Sequence, residues 1–396
     1  MDFTLDETQQ AVARAAAEVL GPTRPEGPPA AADGFDSALW KELGRAGLLS
    51  LALPAWLGGD GLGVLDVAVA LTEVGRRAAS VPALATLVLG VLPVVRWGDR
   101  DLQQTLLGGV AAGDTVLTAA VREPSGVMPA RPATTAALGP TTGTVSGVKI
   151  GVPYAAAADW ILVPASLDAG GTGVVVVQAS AEGVSWERTH SSSGEPEYTL
   201  RLDRAPVADL LGSVKGDGEE GGGRAAEDLY QLAVAGACSL ADGALAGALA
   251  LTTAHVASRE QFGRPLAAFQ AVAGQVADTY IASRTLHLAT LSACWRLQAG
   301  RDARSDLDVA AYWLAGQAPA ALLTCHHLHG GIGMDVTYPL HRYSSLVKDL
   351  VRFVGGADYR LDRLGARACD AAASGETVPP GQPAAGSGQT VPPDRR

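Results

Sequence analysis

Positive charge is scarce in this chain and nowhere gathers into a run: 30 lysines and arginines stand against 41 acidic residues among 396, a formal net charge of −11. That excludes the basic footprint of a nucleic-acid-binding protein. Cysteine is scarce too: Cys238, Cys294, Cys325 and Cys369 are widely spaced, lack metal-ligand spacing, and in three cases lie in helix-like apolar runs. They read as buried thiols in a reducing compartment. A bilayer-length apolar run is missing, because the most apolar stretch, Val81 to Val95, falls short and contains two prolines. The opening Met-Asp-Phe-Thr-Leu-Asp-Glu is acidic and lacks a signal peptide's positive start. A cytoplasmic, soluble protein is the expectation.

Apolar residues make up 47 % of the chain and charged residues 18 %, enough for a large core, and the length calls for two or three packed subdomains. Residues 1–114 read as helical: Asp36 to Leu49 and Leu65 to Ala79 carry helical apolar spacing, and the glycine-rich turn Leu53 to Leu62 separates them. Residues 115–213 change to short β-branched runs, with Thr144–Ile150, Trp160–Ala165, Gly173–Gln178 and Tyr198–Leu202 as strand candidates. A small antiparallel barrel or sandwich fits that spacing. The glycine-rich run at 214–223 reads as a linker, and residues 224–372 return to long alanine-rich helices that imply a bundle. The tail at 373–396, with Thr-Val-Pro-Pro at 377–380 and again at 390–393, reads as disordered. The expected fold class is α+β, mainly α.

Two motifs carry the chemistry. Ser258-Arg-Glu-Gln-Phe-Gly-Arg-Pro-Leu266 gives a helix end an arginine and an aromatic, and His327-Leu-His-Gly-Gly-Ile-Gly-Met334 places glycines where backbone can approach a diphosphate closely. Arg259 can pair bidentately with phosphate, Phe262 can pack on adenine or ribose, and Gly263 frees the turn. Each motif in isolation also reads blandly, as a helix-terminal arginine with a core phenylalanine and as an ordinary glycine loop.

Together, in this domain order, they resemble the paired flavin-binding signatures of the acyl-CoA dehydrogenase family over residues 1–372, and Tyr338-Pro-Leu-His-Arg-Tyr343 resembles its actinobacterial, steroid side-chain subgroup. The resemblance implies an N-terminal helical domain, a central β domain and a C-terminal four-helix bundle. It also implies FAD as cofactor, with Arg259, Phe262, Gln270, His327, Gly330 and Gly331 contacting it, the first three serving a neighbouring subunit. His327 stands where many members have glutamine. Gly151 and Pro153 stand where the family keeps a tryptophan and a threonine against the flavin ring, Ala55 replaces the acid of a Pro-Glu-x-x-Gly-Gly turn, and Glu123-Pro124 is similar to a Thr-Glu-Pro turn.

The family reaction needs a carboxylate to take the α-proton of a thioester while the β-hydrogen leaves as hydride. The two positions that carry this glutamate in the family read Val354, sixteen residues after Tyr338, and Ala233, twenty-six before Arg259. Neither accepts a proton. An arginine found next to the second position is Val234. Asp242, on an apolar helix, is a weak substitute that is either paired structurally or functional. Glu227 and Asp228 read as helix-opening residues, Asp358 as solvent-facing, and His326, His327 and His329 as residues pointing apart rather than as a metal site.

The resemblance implies an FAD-dependent acyl-CoA dehydrogenase subunit that introduces an α,β double bond into an acyl-CoA thioester, including bulky steroid-derived ones. The alternatives are a catalytically silent partner that completes the FAD site of a second acyl-CoA dehydrogenase subunit, and a flavin-dependent monooxygenase on the same fold. A homo- or hetero-oligomer is implied, with electron-transferring flavoprotein as the acceptor.

Overall fold

The computed structural model describes residues 3–22, 34–139, 142–212 and 218–374. The N-terminal region holds α1 (Glu7–Leu20), α2 (Ser37–Arg45), α3 (Val64–Arg76), a π-helical segment (Leu84–Val91) running into α4 (Leu92–Trp97), and α5 (Arg100–Leu107). Local chemistry sets their starts. Asp6 caps α1 in a capping box with Gln9, and Asp36 and Asp99 accept from the amides of Leu39 and Leu102 to cap α2 and α5. The Val81 to Val95 run is buried along nearly its whole length.

The middle region contains β1 (Leu117–Ala119), β2 (Arg122–Glu123), β3 (Gly126–Val127), β4 (Thr135–Leu138), β5 (Gly143–Pro153), β6 (Trp160–Leu167), β7 (Thr172–Gln178), β8 (Val184–Thr189), β9 (Glu197–Val207) and β10 (Asp209–Leu211). The main sheet runs β10-β7-β6-β4-β5-β9-β8, with β1 beside β6. It is not purely antiparallel, since β1 and β4 both pair with β6 in parallel. All four strand candidates lie inside observed strands. The missed ones are short, or, like β8, exposed at the sheet edge with a polar pattern.

Helices return as α6 (Gly218–Ser258), a ribbon of β11 (Glu260–Gln261) and β12 (Arg264–Pro265), α7 (Gln270–Gln298), α8 (Arg304–Tyr312), α9 (Ala318–His329), α10 (Leu340–Val354) and α11 (Ala357–Ser374). The expected linker is corrected here: α6 begins at Gly218, so its glycines enter the helix, while residues 214–217 lie outside the described residues. The tail beyond Ser374, with both repeats, also lies outside them.

Long α6 is the axle of the bundle, packing on α3, α7, α9 and α10. Glycine makes the α3 contact so close: a Cβ on Gly75 would sit 2.0 Å from the Leu240 carbonyl oxygen, and one on Gly243 would sit 1.9 Å from that of Thr72. The backbones touch there without side chains between them. By length and apolarity α6 would pass for a membrane span, but 89 % of its most apolar window is buried within the protein. That is the signature of a core helix.

Candidate functional site

Three places in this fold bear on chemistry. The first is an exposed face where the two motifs meet. Helix α6 ends at Ser258, and the ribbon then reverses the chain through Phe262 (φ 54°) and Gly263 (φ 76°). A left-handed phenylalanine is strained, and its ring is 92 % exposed, touching Phe269 edge-on at 6.2 Å. Arg259 is exposed, and among the described residues no carboxylate reaches its guanidinium. Gln270 opens α7, also exposed.

The second motif caps α9. Gly330 takes φ 62° and the chain continues as a 3-10 turn, Gly330–Met334. A Cβ at Gly330 or Gly331 would meet nothing within 4 Å. The fold itself therefore makes no steric demand for a bare backbone at Gly331, whereas a closely approaching ligand would. The two motifs are joined by His255 and His329, whose rings stack at 4.5 Å. His329 donates through Nδ1 to the Cys325 carbonyl and accepts at Nε2 from the Tyr338 hydroxyl. His326 donates through Nδ1 to Gly333 and accepts from Ser344. Burial lowers the pKa of both rings and favours these neutral tautomers. His327 is exposed, so the three histidines address different surroundings. Large apolar side chains stand in the open in and beside the second motif, Leu323, Ile332, Met334 and Val336, and on α7, Ile281.

The second place is the strip between β5 and α10, where the resemblance puts the flavin ring. It is closed. Gly151 (φ 58°) lies so near Arg122 that a Cβ would come within 2.8 Å of its Nη1, so a larger side chain would have to displace that guanidinium. The β8–β9 loop packs down beside it: the amides of Ser192 and Ser193 donate to the two oxygens of Asp349 at 2.9 and 2.8 Å, and Arg352 bridges Asp349 and Glu197. Burial pushes the Glu195 carboxyl up to about 7, with the nearby charges of Asp349 and Glu197 adding to the rise. What remains is a cavity of about 60 Å³ walled by Leu240, Leu346 and Phe353. That is room for a few waters at about 10–15 Å³ each, and far short of a three-ring system.

The strip is rigid because β5 is pinned behind it. Lys149, fully buried, donates to Glu123 at 2.7 Å and to the Pro164 carbonyl at 2.7 Å, and Glu123 also accepts the amides of Ala133 and Thr134. Burial pulls Lys149 down to about 8. Burial alone would raise Glu123, but its hydrogen bonds, from Lys149 first, hold it near 2.

Val354 and Ala233 are both fully buried in apolar surroundings. Asp242 accepts from His287 Nδ1 at 2.8 Å between α6 and α7. Asp228 does not open α6, which starts ten residues earlier. It accepts instead from the Trp97 indole at 2.7 Å and from Arg96 at 2.9 Å. Asp358 is exposed in the first turn of α11.

The third place is a cavity of about 620 Å³ between α6, α8, α11 and the turn at 126–130. Asp308, buried on α8, receives Arg360, Arg363 and Arg367 from α11 at 2.9, 3.0 and 2.9 Å. Sequence reasoning missed this cluster, although arginines at i, i+3 and i+7 mark one helical face.

Comparison with known proteins agrees with the geometry. Residues 4–114 match the acyl-CoA dehydrogenase N-terminal domain and residues 222–368 its C-terminal domain. The chain is 46 % identical to acyl-CoA dehydrogenase FadE28 of Mycobacterium tuberculosis over 93 % of this chain and 99 % of that one, and 35 % identical to FadE27 of the same organism over 86 % and 90 %. Among solved structures it is similar to a variant of the Tcur3481–Tcur3483 steroid ACAD (TM-score 0.84, 34 % identity, 93 % and 98 % covered). It is also similar to a structure of the ChsE4–ChsE5 complex of Mycobacterium tuberculosis (TM-score 0.83, 32 % identity, 93 % and 99 % covered). The chain belongs to the acyl-CoA dehydrogenase family, FAD-dependent oxidoreductases that act on CH–CH groups.

Proposed function

We propose that this chain is the glutamate-less subunit of a heteromeric acyl-CoA dehydrogenase, and that it completes an FAD site whose ring is seated in a second, glutamate-bearing subunit. One observation supports the reading: Arg259, Phe262 and the glycine backbone of the second motif stand exposed, while the strip beside β5 keeps only about 60 Å³ of space. Arg259 offers an uncommitted guanidinium for a phosphate. Gly330 and Gly331 leave backbone open beside it, Phe262 offers a ring for adenine or ribose, and Gln270 and His327 supply hydrogen bonds at the margin. The exposed apolar side chains around these residues suit burial against that second subunit.

When bound, FAD accepts the β-hydride of an acyl-CoA thioester. This chain's residues orient the cofactor's diphosphate end and exclude water from the joint. The base comes from the other subunit, since Val354 and Ala233 offer no proton acceptor. The likeness to a steroid ACAD and to the ChsE4–ChsE5 complex supports a steroid-derived or similarly bulky acyl chain and a mixed assembly. Electron-transferring flavoprotein is the proposed electron acceptor and the cytoplasm the proposed location.

The test is purification of the chain by itself and with a companion dehydrogenase, reading flavin absorbance and acyl-CoA-dependent reduction of an artificial acceptor. Colourless and inactive by itself, yellow and active when paired, is the expected result. A yellow, active homo-oligomer overturns the proposal, as does oxygen consumption dependent on added reduced flavin, which would mark a monooxygenase.

A further inference from the structure

The last turns of α6 and α9 are tied by a stacked pair of rings. His255 and His329 lie 4.5 Å apart with their planes 22° from parallel, and each stands at the root of a motif. The His255 carbonyl accepts the Arg259 amide at 2.8 Å, and His329 is the residue before Gly330. The stack thus sits between the guanidinium and the glycine backbone, and what shifts it shifts their spacing.

His329 is anchored from the other side. It is 6 % exposed, its Nδ1 donates to the Cys325 carbonyl at 2.8 Å, and its Nε2 accepts from the Tyr338 hydroxyl at 3.1 Å. The Tyr338 ring tilts against it at 5.2 Å. The neutral ring uses both nitrogens, so a proton on Nε2 turns that acceptor into a donor and breaks the pattern. Every charge acting on the pair also opposes a proton. Burial first and then Arg259 lower His255; burial lowers His329, with His255 and His326 adding to the fall. Burial lowers His326 as well, helped by His341 and Lys348. Burial raises Tyr338, with Tyr343 adding to the rise, and keeps it a neutral donor. Among the described residues no carboxylate acts on either ring of the stack.

We propose that His255 and His329 are a positioning pair, which holds Arg259 and Gly330 at the spacing one dinucleotide requires and opens on protonation, so that protons compete with the cofactor's diphosphate for this face. The pair acts through its two neighbours and touches no reacting atom. Its effect on flavin rests on the reading above, in which this face grips FAD. Both rings are lowered from the ordinary imidazole value of 6.5, so the closed neutral pair is complete above that value and is lost as pH falls below it.

The mixed enzyme is desalted and its flavin absorbance read from pH about 8 down to about 5.5. Wild type keeps its flavin at the upper end and sheds it toward the lower. His255→Ala weakens retention about twofold to tenfold already at the upper end, the contribution of one ring pair. His255→Phe keeps a ring that takes no proton; it restores retention there and flattens the fall toward acid, whereas a ring that only supported the fold would leave the pH profile unchanged. A titration of the histidine ring resonances in the chain by itself requires no flavin: His329 takes its proton at lower pH beside His255 than in His255→Phe. Equal retention in His255→Ala, an unchanged pH profile in His255→Phe, or a His329 titration indifferent to that variant overturns the proposal. So does flavin held more tightly at the acid end, as an imidazolium directly on phosphate would hold it. Arg259→Ala in the same preparation separates the two readings: flavin unmoved by it counts against the shared-cofactor reading, while flavin lost with it but indifferent to both His255 variants counts against the pair alone.

Discussion

The strip between β5 and α10 and the face formed by the ends of α6 and α9 are the two places where the resemblance puts a flavin, and in this chain they differ in one physical respect. Polar groups in the strip are committed to one another: Asp349 to two loop amides and Arg352, Arg352 to Glu197, Lys149 to Glu123. On the face they are left over: Arg259 has no ion-pair partner among the described residues, Phe262 is out in solvent, and the bare backbone at Gly331 answers no internal constraint. Committed groups make stability and spare groups make recognition. Substitutions in the strip are therefore expected to move the melting temperature, and those on the face to move flavin binding.

The largest effect is expected from restoring the missing acid. Val354→Glu puts a carboxylate at a fully buried apolar position, and the cost of an unpaired buried charge is about 3–5 kcal/mol. Thermal denaturation should show the loss, and no dehydrogenase activity should appear, because the ring strip stays closed. Gain of acyl-CoA oxidation by the chain by itself would break the comparison. Asp349→Ala comes next: it orphans two amides and leaves Arg352 with Glu197 alone, costing about 2–4 kcal/mol in chemical denaturation. Flavin content of the paired enzyme should be nearly unchanged.

Arg259→Ala should do the reverse, leaving the stability of the chain within about 0.5 kcal/mol of wild type while weakening flavin retention in the mixed enzyme at least about tenfold. The smallest effect sits with Glu195. Its folded pKa of about 7 lies above the ordinary carboxyl value of 4.5, so the folded state holds its proton over that interval and the unfolded state does not. Stability must therefore fall as pH rises from about 4.5 to 7. Glu195→Gln should flatten that slope and gain on the order of 1 kcal/mol at pH 8, read by denaturation across pH.

Much of this was legible in the sequence, and the residues show why. Helical periodicity and β-branched runs located the three regions, because burial on one face leaves a period. The exposed motifs around Arg259 and Gly330 could be picked out because the residues of each lie close together in the chain. The sealed strip could not: Asp349 meets Ser192 across 157 positions and Arg352 meets Glu197 across 155, and no local pattern announces such partners. The Asp308 cluster was hidden for the same reason, with its acid on α8 and its arginines on α11. Asp242 could be narrowed to paired or functional by burial alone, but only the fold supplied His287.

Flavin stoichiometry decides whether this chain lends a phosphate grip to a flavin whose ring is housed elsewhere. With a glutamate-bearing companion, the purified assembly should hold one FAD per pair of unlike subunits and lose it when Arg259→Ala is introduced in this chain only. One FAD retained per copy of this chain by itself, unmoved by Arg259→Ala, would contradict it.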